Sequence, residues 1–168
     1  MEIERKYLLD KIPFNLDNFP FTYIQQAYIS TTPVIRIRSK KSPKDSLTKY
    51  ILTIKSSGLL ERQEYELSLT REEYESLLSK VSGNVITKKR YLIPLEEGLT
   101  LELDIFEEDF DGLVMGEIEF ESREASEKYN PPEYLSGEVT FDTRFHNSTM
   151  SKMSKSEISD LIDFAHTN

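Results

Sequence analysis

The stretch Glu2-Ile3-Glu4-Arg5-Lys6-Tyr7-Leu8 decides how the rest of the chain is read. As a strand it places residues two apart on one face, about 7 Å from each other, so Glu2, Glu4 and Lys6 stand in a row. Ile3, Arg5 and Tyr7 turn the other way, and the bulky Arg5 is read as external. The row recurs down the chain as Arg36 and Arg38, Lys55, Arg62 with Glu64 and Glu66, Lys88 and Arg90, Glu102 and Asp104, and Glu117 and Glu119. A face built almost wholly of charges, in blocks of one sign, is costly to assemble unless something with its own charges sits against it. A polyphosphate with divalent metal ions fits that description.

Working outward, strand-like segments are predicted at about 2–9, 22–30, 34–39, 50–56, 61–69, 86–93, 99–107 and 114–121. The 99–107 segment shows the alternation most clearly, with Leu99, Leu101, Leu103 and Ile105 on one face and Thr100, Glu102 and Asp104 on the other. The polar, turn-rich stretch 40–49 reads as a hairpin loop. A helix is predicted over 70–81, where Tyr74, Leu77, Leu78 and Val81 share a face and Thr70 with Glu73 forms a capping box. Further helices are predicted over 123–129, before Asn130-Pro131-Pro132, and near 154–166.

Eight short strands with mainly short connections imply a mainly β (α+β) fold in which an antiparallel sheet closes or nearly closes. One reading buries the apolar face and leaves the charged face solvated. Two features favour the opposite. Solvated strand faces intersperse opposite charges with Ser, Thr and Gln, whereas these strands carry near-pure pairs, and amphipathic helices need an apolar outer surface to pack on. The expected architecture is therefore an eight-stranded antiparallel β-barrel with a charged lumen and helices packed outside.

At 168 residues the chain is long enough to bury a core as one domain spanning 1–168. Cysteine is absent and there are two histidines, so thiolate chemistry and a His-rich metal site are excluded and any metal should be a hard one held by oxygen. His146 and His166 read as surface residues, and Tyr28 as facing either the lumen or the outer core. No secretory signal or apolar run of roughly 20 residues is visible, which predicts a cytoplasmic protein with no membrane partner. The net charge of −9 argues against nucleic acid as a partner. It leaves room for a small anion, because basic residues gathered on one face create a local positive field.

The ordered set Glu2-x-Glu4-x-Lys6, Arg36-x-Arg38, Thr53-Ile54-Lys55, Arg62-x-Glu64-x-Glu66, Lys88-x-Arg90, Glu102-x-Asp104, Glu117-x-Glu119 and Glu138-Val139-Thr140-x-Asp142-x-Arg144 resembles the CYTH, or triphosphate tunnel metalloenzyme, family. The resemblance implies an eight-stranded tunnel, Mg²⁺ or Mn²⁺ as cofactor, and a substrate carrying a triphosphate. Carried over by position, Glu2, Glu4, Glu64, Glu66, Asp104, Glu117 and Glu119 look like metal ligands. Lys6, Arg36, Arg38, Lys55, Arg62, Lys88, Arg90 and Arg144 look like the phosphate cradle, with Glu4, Lys6, Lys55 and Arg90 carrying the catalytic step. Phe145 departs from the pattern, since similar sequences often have Tyr after the arginine.

The short chain is most similar to small bacterial members that hydrolyse inorganic triphosphate to diphosphate and phosphate, and ATP and thiamine triphosphate are other substrates that the family implies. A class IV adenylyl cyclase, making cyclic AMP and diphosphate from ATP, is the alternative, and a non-catalytic polyphosphate- or nucleotide-binding module is a third reading. Whether the chain forms a homodimer stays open at this point.

Overall fold

The computed structural model describes residues 2–57 and 60–167. The charged rows become strands β1 (Glu2–Leu8), β2 (Phe21–Thr31), β3 (Val34–Lys41), β4 (Lys49–Lys55), β5 (Glu61–Arg62), β6 (Glu64–Leu69), β7 (Ile86–Pro94), β8 (Thr100–Glu107) and β9 (Val114–Glu119), followed by a short β10 (Gly137–Glu138). Two antiparallel meanders build the sheet. β2, β3, β4 and β6 form one, β7, β8 and β9 the other, and β2 pairs with β7 to join them. β1 takes β9 on one edge and divides the other between β5, at Glu2 and Ile3, and β10, at Tyr7 and Leu8.

The expected eight-stranded barrel is thus a ten-stranded sheet whose ladder does not close continuously. The seam lies in 61–69, predicted as one strand and broken at Gln63, where β6 stays on β4 and β5 turns to β1. Sheet twist carries β4 and β1 apart along their length, so one segment serves each with a different part.

Inward positions run in layers. Leu8, Tyr28, Ile86, Phe106 and Met115 face in at one end and are buried. Two residues along the same strands the inward residues become Lys6, Gln26, Lys88, Asp104 and Glu117, also buried. The apolar layer is sealed by Phe110, Leu113 and Phe145, by Met150 from α3 (Asn147–Met150), and by Ile158, Leu161 and Ala165 from α4 (Lys155–Thr167). Besides the helices expected outside the sheet, α4 thus covers one of its open ends. The α4 stripe meets inward-facing apolar side chains that would otherwise stay wet, and it plugs that end of the barrel.

The outer face behaves as expected where a helix covers it. A third helix, α1 by chain order (Arg71–Leu78), starts at the Thr70 capping box and ends three residues short of the predicted Val81; it sets Tyr74, Leu77 and Leu78 on Ala27, Ile37, Tyr50 and Leu52. On the opposite side Tyr7, Leu101, Leu103 and Ile118 lie under Phe14, Leu16, Phe19 and Leu135. There β9 must pass close: a Cβ on Gly116 would stand 2.7 Å from Leu101 Cδ1. Arg5 is external, as read, and donates to the Ser126 and Tyr129 carbonyls at the end of α2 (Arg123–Lys128) and to Glu138. No helix among the described residues is long and apolar enough to cross a membrane.

Candidate active site

Cross-strand register carries the charged face around the interior. Glu4 lies opposite Glu119 and Lys6 opposite Glu117 on β1 and β9; Glu117 faces Glu102, and Asp104 stands beside Arg90 through β7. On the other meander Gln26 meets Arg38, Arg36 meets Thr53, Thr53 meets Glu66, and Lys55 meets Glu64, before Glu2 and Arg62 complete the circuit at the seam. Directly opposed side chains of such pairs lie within about 5.5 Å at Cβ. The result is a cavity of about 230 Å³ whose walls are almost entirely polar.

Its two walls differ in sign. On β3, Arg38 donates twice to the neutral Gln26 Oε1, at 2.7 and 3.0 Å, and Arg36 donates to Thr53 Oγ1 at 3.0 Å, while Arg36 Nε is buried without a partner. Neither arginine has a carboxylate partner among the described residues. Burial, then the neighbouring Arg36 and Arg90, push Arg38 down to about 9, and burial with Arg38 and Arg90 lowers Lys40. This wall lacks negative charge.

The facing wall carries carboxylates that are only partly neutralised. Lys6 Nζ sits 2.8 Å from Glu117 and 3.1 Å from Glu4, which also takes Arg62 at 2.5 Å. Lys55 Nζ bridges Glu2 at 2.8 Å and Glu64 at 3.0 Å, the second at an angle that leaves Glu64 Oε2 without a hydrogen bond. Arg90 binds Glu117, Asp104 and Glu102 together. Burial pushes Glu4 and Glu117 up, but Lys6 and its cationic neighbours hold both below the usual carboxylate range. Glu2 goes the other way, to about 7, because burial and then Glu4 outweigh Lys55. Glu119, with no ion pair among the described residues, is raised by burial and by Glu102, Glu4 and Glu64.

Those crowded, incompletely paired oxygens are the chemistry a hard divalent cation suits. Among the described residues no three carboxylates converge as a ready-made cage, because most of them are turned onto lysine or arginine. The donor set fits such an ion in kind and charge, and Glu2 and Glu119, whose charged forms are disfavoured in its absence, are the members with most to gain from it.

A CYTH domain family model matches residues 1–156. This chain belongs to the CYTH domain family. It is 35% identical over 152 residues to an inorganic triphosphatase of Nitrosomonas europaea, a match covering 89% of this chain and 96% of that one. A crystal structure of the inorganic triphosphatase NE1496 superposes with a TM-score of 0.65 at 30% identity, covering 92% of this chain and 96% of that chain. A putative adenylyl cyclase from Hippeastrum, whose structure reveals a dominant triphosphatase activity, shares the fold with a TM-score of 0.51 at 20% identity, over 76% of this chain and 83% of that one.

Within the CYTH cavity the structure gathers Glu2, Glu4, Lys6, Arg36, Arg38, Lys55, Arg62, Glu64, Glu66, Arg90, Glu117 and Glu119. Three of the residues read as site members lie elsewhere. Lys88 and Asp104 do not line the cavity: they form a fully buried 2.5 Å pair, and Asp104 clamps the Arg90 guanidinium with bonds of 2.7 Å. Arg144 is outside altogether, half exposed, bonded to Asp142 and stacked 4.3 Å over the Phe164 ring. Carried over from the family pattern by position, it falls here in a 3-10 turn, Thr143–Phe145, which sends Phe145 into the plug and Arg144 outward.

The cavity also takes in side chains that the charged rows passed over. Tyr28 faces the lumen, while Thr53 and Gln26, behind the cavity surface, supply the neutral oxygens that hold the arginines. Gln26 and Tyr28 share parity with one another on β2, the signal from which they were legible. His146, read as a surface residue, is buried and lines the cavity with Asn147 and Ser148. It follows a turn with no periodicity to mark it.

Proposed function

We propose that this chain hydrolyses inorganic triphosphate to diphosphate and orthophosphate with Mg²⁺ or Mn²⁺. The observation that carries the reading is the division of one small cavity into an arginine wall without carboxylates and a carboxylate wall with incompletely paired oxygens. Two desolvated guanidiniums side by side are unfavourable until an anion joins them, and forked N–H donors match phosphate oxygens. Carboxylates repel phosphate unless a cation lies between. A triphosphate bound with divalent metal satisfies both walls, and a relative with this activity aligns over most of the chain.

In this reading Arg36 and Arg38 hold the phosphates, and Lys6, Lys55, Arg62 and Arg90 reach from the carboxylate wall to stabilise charge that develops on the transferring group and on the leaving diphosphate. Asp104 and Lys88 act from behind by fixing the Arg90 fork. Glu2, Glu4 and Glu119, with Glu64, Glu66 and Glu117 beside them, would hold the ion. When bound, the ion neutralises phosphate charge and lowers the pKa of a coordinated water. No protein nucleophile is required, and water attacks in line.

The test is orthophosphate release from triphosphate, diphosphate, ATP and thiamine triphosphate, each with Mg²⁺ and with Mn²⁺, while cyclic AMP is assayed in parallel. Triphosphate should be cleaved once, leaving diphosphate intact, with ATP a poorer substrate. Cyclic AMP as the main product from ATP would replace this reading with a cyclase, and binding of triphosphate without turnover would replace it with a binding module.

A further inference from the structure

At the plugged end the cavity lining changes from charged to neutral, through Tyr28, Val34, His146, Asn147 and Ser148. Two consecutive residues there each carry a buried side-chain atom without a hydrogen-bond partner, His146 Nε2 and Asn147 Oδ1. His146 is only 8% exposed. Burial, followed by Lys6 and Arg62, disfavours its charged form. A neutral ring carries its one proton on Nδ1 or Nε2, and with the proton on Nδ1 the unpartnered Nε2 is a lone-pair acceptor. Asn147 Oδ1 is an acceptor too.

Two dry acceptors need donors. An ionised phosphate oxygen has no proton to give, and the nearby Lys6 and Arg62 are turned onto Glu4 and Glu117. Water has two O–H bonds, and when both are donated to the wall, the lone pairs of the oxygen face the cavity. We propose that His146 Nε2, assisted by Asn147 Oδ1, holds the water that attacks the terminal phosphorus. This inference rests on the triphosphatase reading and adds to it the residues that position the nucleophile. As the water oxygen bonds to phosphorus, the bridging P–O bond breaks and its electron pair leaves with diphosphate. One proton of the water stays on the orthophosphate, and the other passes along its hydrogen bond to His146 Nε2, which then hands it to the departing diphosphate or to solvent.

The experiment compares wild type, His146→Ala, His146→Gln and Asn147→Ala. Each is assayed for orthophosphate release from triphosphate with Mg²⁺, for triphosphate affinity by calorimetry without added metal, and for its thermal melt. His146→Ala should lose roughly 10²-fold in kcat, the scale of a positioned proton acceptor, with KM and affinity nearly unchanged. His146→Gln, which offers an amide oxygen near the Nε2 position, should recover a substantial part, and Asn147→Ala should show a smaller loss of the same kind.

Unchanged kcat in His146→Ala would reduce the water to a structural one, and a loss carried by KM and affinity would make His146 a phosphate contact; either overturns the proposal. If His146→Ala does not fold, Asn147→Ala decides, and unchanged kcat there overturns it as well. A wild type that releases no orthophosphate overturns the triphosphatase reading itself and this inference with it, whereas an active wild type with indifferent variants overturns this inference alone.

Discussion

Along β1, β2, β7, β8 and β9 a step of two residues carries the inward face from the apolar plug, at Leu8, Tyr28, Ile86, Phe106 and Met115, to the charged wall, at Lys6, Gln26, Lys88, Asp104 and Glu117. The layers are equally dry: Phe106 is 1% exposed and Lys88 0%. They differ in what burial does to them. Apolar burial stabilises the fold without a partner, whereas buried ion pairs roughly break even against their desolvation and serve chiefly to hold a geometry. The plug is therefore where stability is made, and the wall is where it is given up for a site.

Variants of the two layers should separate accordingly. The largest effect is expected from Glu4→Gln, which keeps volume but deletes the charge shared by Lys6 and Arg62; turnover should fall by roughly 10²- to 10³-fold in an orthophosphate assay while circular dichroism stays native. Wild-type turnover would break the assignment of the wall. In the plug, Leu161→Ala should lower unfolding free energy by about 2–5 kcal/mol, read from urea denaturation, with the KM for triphosphate unaltered.

Smaller effects lie within the wall itself. The carboxyl of Glu2 is raised to about 7 in the fold from an ordinary 4.5, so the folded chain keeps a proton that the unfolded chain releases. Its contribution to stability is present below pH 4.5 and is lost as pH climbs through 7. Thermal melts of metal-free chain at pH 5 and pH 7 should show this decline, and Glu2→Gln should flatten it. Glu119→Gln should raise the melting temperature at pH 7, since it relieves repulsion from Glu102, Glu4 and Glu64; a lowered value would contradict the crowding. The smallest effect is expected at Arg144→Ala, an exposed pair worth at most about 1 kcal/mol, with orthophosphate release within twofold of wild type. A large loss there would return Arg144 to the site.

Strand parity made the inward face legible, because period-two alternation from Glu2 to Glu119 encodes which side each residue takes. It does not encode depth. Lys88 and Asp104 have the right parity, yet they saturate one another and Arg90 and never reach the cavity surface. Parity is also silent beyond the strands, where the family pattern alone places Arg144, which turns outward. The two-residue β5 and β10 and the four-residue α3 are too short to carry any period, and they supply the seam and the His146 corner. The plug was missed for a related reason: the α4 stripe shows that a helix has an apolar face, not which apolar surface it will meet.

The pairing of β1 has a kinetic consequence. Every other long strand finds a neighbour across a short hairpin or through the β2–β7 junction, so each meander is able to assemble from contacts close in sequence. β1 has no such neighbour. Its partners are Glu61–Arg62 and Gly137–Glu138 on one edge and Met115–Glu119 on the other, and each of those ladders must close a long loop before it gains anything. The strand bearing Glu2, Glu4 and Lys6 is thus expected to dock after both meanders have formed, so that the chain acquires its carboxylate wall and its final topology in the same late event.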